Sequence, residues 1–255
     1  MLFLVLLGMG PMLPGCTKWT SGVIYSVASL NVVNALPTSN PLILIQGPIS
    51  TDIGEFSRIG TLSYGGTTVL APMSGSETLY AVQRNVDTVS VNAQGGGTFM
   101  FDGPLSFVAG SLYSLFITGA DTSNPDFVFV QDVLPIITDS SVGIRFVNLS
   151  TGSNPISINL EGNFNGSEVG NLPYKSITSF KDYICNSIIN NYLFVVRDVA
   201  SGDSLTQFVL NSNNGYGLTD PNNGNLLTFR NVTIAVYGQQ NNSNAPLTTM
   251  LVDNY

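Results

Sequence analysis

Leu30-Asn31-Val32-Val33-Asn34-Ala35-Leu36-Pro37-Thr38-Ser39-Asn40-Pro41 recurs as Ile144-Arg145-Phe146-Val147-Asn148-Leu149-Ser150-Thr151-Gly152-Ser153-Asn154-Pro155. Both copies read apolar-x-apolar-Val-Asn, a short loop, then Ser-Asn-Pro and a strand-like run. Three further matches follow in the same order. Gly60-Thr61-Leu62-Ser63-Tyr64 pairs with Gly170-Asn171-Leu172-Pro173-Tyr174, residues 113–119 with 232–238, and residues 125–132 with 246–253, both of the last ending in Asp. The offset drifts from about 110 to 121 residues, as it does when insertions fall in loops. An ordered series of matches marks tandem domains rather than chance.

The segments inside each repeat have the period of strands. Leu42-Ile43-Leu44-Ile45, Thr78-Leu79-Tyr80-Ala81-Val82 and Val86-Asp87-Thr88-Val89-Ser90-Val91 are short, β-branched or aromatic, and bounded by Gly, Pro or Asn. Residues 23–27, 113–118, 127–130, 144–147, 192–196, 232–237 and 249–252 read the same way. No stretch carries the apolar stripe of a helix, and the lack of crossover helices excludes a parallel βαβ architecture. A repeat of roughly 110 residues with about seven short strands has the size of an immunoglobulin-like sandwich. The expected fold is therefore all-β: two tandem immunoglobulin-like antiparallel β-sandwich domains, over residues 25–135 and 140–255, with the boundary near 135–140. Asn34 and Asn148, where a strand runs into a loop, are expected to bond nearby backbone and hold the turn.

Composition narrows the function. Charged residues make up 9% of the 255-residue chain and hydrophobic residues 44%, against about 25% charged in ordinary soluble domains. That balance opposes disorder. The net charge is −8, and the 8 Lys and Arg are scattered singly, so no basic patch is expected to neutralise phosphates and nucleic acid is not an expected partner. The chain has no histidine, which removes Ser-His-Asp triads, Cys-His pairs and the commonest metal ligand.

Upstream of the repeat, an apolar run over residues 1–12 leads into Leu13-Pro14-Gly15-Cys16. The run is shorter than the ~20 apolar residues that span a bilayer and fits the apolar core of a signal peptide. Leu at −3, Gly at −1 and Cys at +1 resemble the site where a bacterial lipoprotein is cut and its cysteine acylated. No Lys or Arg precedes the run, and Pro14 is unusual at its place. The alternatives are an ordinary signal peptide or an N-terminal strand ending in Gly-Cys. The expected organisation is a signal peptide over residues 1–15 cleaved after Gly15, lipidation at Cys16 with the bilayer as partner, and a tether over 16–24. With Cys16 acylated, Cys185 is the one remaining thiol and is expected to be a buried core residue. A Cys16–Cys185 disulfide is the formal alternative.

A search for chemistry finds little. A carboxylate pair for glycoside hydrolysis needs only two Asp or Glu, but no sequence context marks a pair among the 16 present. Asp87, Asp132 and Asp198 sit in or beside strands, where an outward solvated face is expected. Asp220-Pro221-Asn222-Asn223-Gly224-Asn225 faintly resembles a calcium loop but lacks the further acidic ligands, and reads as an Asn/Gly turn. The sequons at Asn148, Asn165, Asn231 and Asn241 are what Asn- and Ser-rich loops supply by chance. The one Trp, Trp19, lies close to the anchor, so neither domain offers a Trp platform for sugars. Tyr64 and Tyr174 recur in both repeats and are expected to be packing or corner residues with their hydroxyls on backbone. Tyr216, between Gly215 and Gly217 in a polar loop, is the candidate ligand contact. No catalytic residue, metal site or cofactor is expected.

The Val-Asn-x-x-x-x-Ser-Asn-Pro element, the Leu-x-Tyr element, Tyr192-Leu193-Phe194-Val195-Val196-Arg197-Asp198 and Ala109-Gly110-Ser111-Leu112-Tyr113-Ser114-Leu115-Phe116-Ile117-Thr118-Gly119 together resemble the family known as domain of unknown function 4397. The resemblance covers nearly all of residues 25–255. It implies an exported or surface protein with tandem domains, often a lipoprotein of Bacteroidetes-type bacteria, and carries over no catalytic residue. Thr17-Lys18-Trp19 stand where surface lipoproteins of that group often have acidic residues. The expected function is a lipid-anchored, non-catalytic adhesion or scaffolding protein of the bacterial envelope, with a protein or glycan partner. The second expectation is a glycan-binding accessory lipoprotein.

Overall fold

Alternating side chains over short β-branched runs build two sandwich units from strands alone. The computed structural model describes residues 26–38, 40–47, 58–84, 97–185, 191–211, 219–220, 224–225 and 227–254, with no helix among them. Unit one contains β1 (Ser29–Asn34), β2 (Leu42–Gln46), β3 (Arg58–Leu62), β4 (Thr67–Leu70), β5 (Gly75–Arg84), β6 (Gly97–Phe107), β7 (Leu112–Gly119) and β8 (Pro125–Asp132). Its sheets run β3-β2-β5-β6 and β4-β1-β7-β8. Unit two contains β9 (Ser141–Thr151), β10 (Ile156–Leu160), β11 (Val169–Leu172), β12 (Lys181–Ile184), β13 (Asn191–Asp198), β14 (Ser204–Asn211), the small hairpin β15 (Thr219–Asp220) and β16 (Gly224–Asn225), β17 (Asn231–Gln239) and β18 (Thr248–Asp253). Its sheets run β11-β10-β13-β14 and β12-β9-β17-β18, the same order as in unit one once the β15–β16 insertion is set aside. The repeat in the sequence is thus a repeat in topology.

Each β4-β1-β7-β8 type sheet contains one parallel pair, β1 with β7 and β9 with β17, and is otherwise antiparallel. The first strand leaves for the other sheet, so the chain re-enters beside it in the same direction after a long crossover. Pro104 falls inside β6 opposite Thr78. It is tolerated because β6 is an edge strand and its missing donor interrupts no further ladder.

Each unit has its own core between its two sheets. Leu30, Val32, Leu44, Leu79, Leu115 and Ile117 fill the first; Ile144, Phe146, Ile158, Phe194, Ile234 and Val236 fill the second. Cys185 lies in the second core at 2% exposure, as expected of a structural thiol. The other faces of the β1 and β9 sheets pack on each other. There Val33, Phe116, Val147, Leu149, Ala235, Met250 and Val252 form a third core shared by both units. This is why β9 is buried at every position along its length: both faces are covered.

Asn34 and Asn148 do what their position predicts. Asn34 Nδ2 donates to Leu62 O at 3.1 Å and its Oδ1 accepts from Leu36 N at 3.1 Å. Asn148 repeats both bonds, to Leu172 O at 2.9 Å and from Ser150 N at 3.0 Å. Each ties the end of an inner strand to the opposite sheet's edge strand.

The shared interface is approximately two-fold. Tyr64, in the turn after β3, packs edge-on against Tyr237 of β17, with ring centroids 5.2 Å apart. Tyr174, its counterpart after β11, faces Thr118 of β7, the counterpart of Tyr237. Reciprocal contacts of this kind define an isologous pairing. Gly65 is required at that turn: it has φ of 73°, and a Cβ would stand 2.6 Å from the Tyr237 hydroxyl. At the matching place Lys175 adopts φ of 65° and reaches Asp126 across the interface at 2.7 Å.

Register corrects one sequence match by a residue. Tyr113 pairs with Gln131 and Val232 with Asp253, so the counterpart of Asp132 is Asn254, not Asp253. Asp132 is not a solvated carboxylate. Its side chain is 2% exposed and bonds Arg145 Nη2 at 2.6 Å and Ser114 Oγ at 2.7 Å. The outward solvated face expected of a carboxylate closing a strand is absent because the second unit covers it.

Candidate functional site

The buried carboxylates Asp132, Asp198 and Glu168 are committed to structure, and Asp102, Asp139, Glu161, Asp182 and Asp203 are exposed. Among the described residues no three His, Cys, Asp or Glu converge on a metal-sized site. Asp198, also expected on a solvated face, is 3% exposed. Its Oδ1 accepts from Ala200 N and Ser201 N at 2.7 and 2.9 Å, and Asn154 Nδ2 donates to its Oδ2 at 3.1 Å. Those bonds, led by the backbone of Ser201, hold its carboxyl below the usual range. Glu168 accepts from Lys181 Nζ at 2.7 Å and from the Tyr183 hydroxyl. Burial alone would raise its pKa, but the bonds from Lys181 and Tyr183 outweigh it and the group stays low. Burial, and then the bond to Glu168, push the Tyr183 phenol well above 10.

The described cations are equally engaged. Arg145 is 4% exposed and donates to Asp132, Thr233 Oγ1 at 2.7 Å and Ser114 Oγ at 3.3 Å, with its guanidinium 4.7 Å over the Phe180 ring. Burial lowers its pKa and Asp132 opposes that shift. Lys175, Lys181 and Arg230 pair with Asp126, Glu168 and Asp253.

One cleft stands apart from this. It has a volume of about 540 Å³ and lies where β14 and β18, the edge strands of the two sheets of unit two, meet. Ser204 and Leu205 line one wall; Gln239, Gln240, Asn241, Asn242 and Ser243 line the other, with Pro246 and Leu247 below. The loop between β17 and β18 is held from within and from outside. Asn242 Oδ1 accepts from Asn244 N and Ala245 N at 3.0 and 3.3 Å, and its Nδ2 donates to Gln239 Oε1 at 2.7 Å. Gln239 Nε2 in turn donates to Thr151 Oγ1 at 3.2 Å and to Ala120 O of unit one. Gly238, with φ of 89°, lets the hairpin close: a Cβ there would lie 2.3 Å from Pro246 O. Asn241 takes φ of 64° at the tip, a conformation Asn tolerates better than most residues.

Of the described residues singled out from sequence, Asn241, noted as a sequon, lines this cleft. Gly15, Cys16 and Tyr216 lie outside the described residues, as does the strand expected over 86–91. In the calcium-like stretch 220–225, Asp220 pairs with Gly224, and Asn225 pairs with Thr219 just before it. Tyr64 and Tyr174 are packing residues at the unit interface, but neither hydroxyl meets backbone among the described residues, contrary to expectation. Burial, followed by repulsion from Tyr237, raises the Tyr64 pKa to about 12. The signal for the cleft was the uninterrupted polar run Gln239-Gln240-Asn241-Asn242-Ser243-Asn244 between two strands, which reads as an ordinary loop until its hydrogen bonds are known.

No protein-family model and no curated protein matches the chain. Among solved structures, the chain is similar to one described as a "putative adhesin" from Bacteroides ovatus, at 10% identity over 89% of this chain and 92% of that one, with a TM-score of 0.24. It is also similar to one described as "putative polysaccharide binding proteins" from Bacteroides thetaiotaomicron, at 10% identity over 90% of this chain and 96% of that one, with a TM-score of 0.26.

Proposed function

We propose that this protein is a lipid-anchored, non-catalytic interaction module of the bacterial envelope, held through an acylated Cys16 after cleavage at Gly15. The observation that carries the reading is the shared third core with its buried Arg145–Asp132 pair, which makes two sandwiches one continuous four-sheet body. A body of this kind suits holding a surface at a fixed place and orientation. The commitment of Asp132, Glu168 and Asp198 to local hydrogen bonds supports a non-catalytic role. Pairing of Lys175, Lys181 and Arg230 with carboxylates supports a partner other than nucleic acid. The resemblance to domain of unknown function 4397 points to the same setting. A single acyl chain anchors only marginally, so the acylated cysteine is expected to carry more than one.

Intact mass of the membrane-extracted protein tests the anchor, with a diacylated N-terminal Cys16 as the expected result. Cys16→Ser should move the chain from the envelope to the soluble fraction without changing its thermal transition. An unacylated chain retaining Met1 overturns the anchor. The interaction role is tested by displaying the chain on a heterologous bacterium. A gain of attachment to polysaccharide- or protein-coated surfaces supports it, and attachment no better than that of empty cells overturns it.

A further inference from the structure

We propose that the cleft between β14 and the β17–β18 loop is a binding site for a neutral carbohydrate. The inference rests on the interaction-module reading and names what one end of the module holds. The volume of about 540 Å³ falls within the ~300–1,000 Å³ of small-ligand sites and admits a short oligosaccharide. No lining residue carries a charge. A bound anion would find no cation, and a bound cation no carboxylate, to offset its loss of water.

The polar groups that remain available suit hydroxyls. Gln239 and Asn242 are spent on holding the loop, whereas the side chains of Ser204, Gln240, Asn241 and Ser243 are exposed and unengaged among the described residues. A carboxamide offers donors and an acceptor on one rigid plane, which matches the two neighbouring hydroxyls of a sugar ring. An apolar ligand would bury those amides without partners. Leu205 and Leu247 are half-buried and backed by the core of unit two, giving the C–H face of a pyranose a firm apolar floor. Because Gln239 also reaches Thr151 of β9 and Ala120 of unit one, the loop is ordered before any ligand arrives, which spares ordering entropy.

The test is calorimetric titration of the full chain in detergent with maltotetraose, mannotetraose, cellotetraose and chitotetraose. Tetragalacturonate and a Gly-Ser-Asn hexapeptide serve as comparisons. At least one neutral tetrasaccharide should bind, and tetragalacturonate should bind roughly tenfold more weakly or not at all. The double variant Gln240→Ala with Asn241→Gly, which keeps a residue at ease with the positive φ, should weaken binding about tenfold or more with an unchanged thermal transition. Gln240→Ala alone should act in the same direction. Absence of binding by every neutral saccharide overturns the site, as do equal binding of the uronate, tighter binding of the peptide, or an affinity the variants do not change. Envelope retention and surface attachment are scored on the same variants. Failure of the sugar site alone leaves both intact; failure of the module reading removes attachment whatever the titration shows.

Discussion

Removing Asp132 should be the most costly single change at the unit interface. Asp132→Ala leaves the Arg145 guanidinium 4% exposed and without its carboxylate. Losing one partner of a buried pair costs about 3–5 kcal/mol. Arg145 keeps Thr233 Oγ1 at 2.7 Å, Ser114 Oγ at 3.3 Å and the Phe180 face, which places the expected loss near the lower end, about 3 kcal/mol. In a chain of this size that corresponds to roughly 6–12 °C in Tm, at 2–4 °C per kcal/mol. The assay is urea unfolding by circular dichroism and tyrosine fluorescence for the native chain, Asp132→Ala, Arg145→Met and the double variant. The double variant, with no unpaired charge, should lose less than Asp132→Ala alone, giving a coupling of at least about 1.5 kcal/mol. A cost for Asp132→Ala below about 1 kcal/mol, or the same cost with and without Arg145, refutes the reasoning.

Two further outcomes are expected. Asn148→Ala deletes two bonds from a fully buried side chain and orphans Leu172 O and Ser150 N; it should cost about 2–4 kcal/mol in urea unfolding, with Asn34→Ala similar, and a loss under 1 kcal/mol at both would deny them a structural role. Tyr64 titrates near 12 when folded against 10 ordinarily. Below pH 10 both states keep the proton and its contribution is intact; as pH rises from 10 to 12 the unfolded chain releases it first, so stability falls. The full shift corresponds to at most about 2–3 kcal/mol, and partial solvation of the phenol brings the expected loss nearer 1 kcal/mol. Tyr64→Phe should flatten the curve over that range, whereas parallel curves for the two proteins would contradict the assignment.

Strands β2, β5, β7, β8, β9, β13, β17 and β18, the tandem order and the turn role of Asn34 and Asn148 were legible because they depend on neighbours within a few residues. Of the run expected over 23–27, by contrast, the described residues hold only an isolated bridge at Val27. What lay hidden depends on the other unit. Alternation along β9 puts Phe146 on one face and Val147 on the other, and no local rule says that both faces will be covered. Asp132 looked like a surface charge because it is compatible with an exposed strand face, and Arg145 was only one of eight scattered cations; only the docking of the two inner sheets makes them a buried pair. The parallel β1–β7 and β9–β17 pairs were equally out of reach, since pairing direction follows from the crossover and not from side-chain period. Strand β6 was obscured by Gly103 and Pro104, which read as a break and are accommodated at an edge. At the cleft, Gln239 and Gln240 are chemically identical neighbours. One is consumed by Thr151 and Ala120 and the other is left facing solvent, a distinction that exists only in three dimensions.

The two-fold interface has an asymmetry with consequences wherever several copies of the chain meet. Across the interface Arg145 and Asn254 of unit two both donate to Ser114 and Asp132 of unit one, while the strand register makes Asn31, Ser114 and Asp132 the counterparts of Arg145, Thr233 and Asn254. A first unit meeting a first unit from another copy would bury Asp132 against Asn31, with no cation. A second meeting a second would bury Arg145 against Asn254 and Thr233, with no anion. Only an unlike pair balances, and the short connection over residues 133–140 keeps the unlike pair at high effective concentration within one chain. The charge difference at two counterpart positions, Asn31/Arg145 and Asp132/Asn254, thus favours pairing of the two halves of one chain over pairing of like halves from two chains.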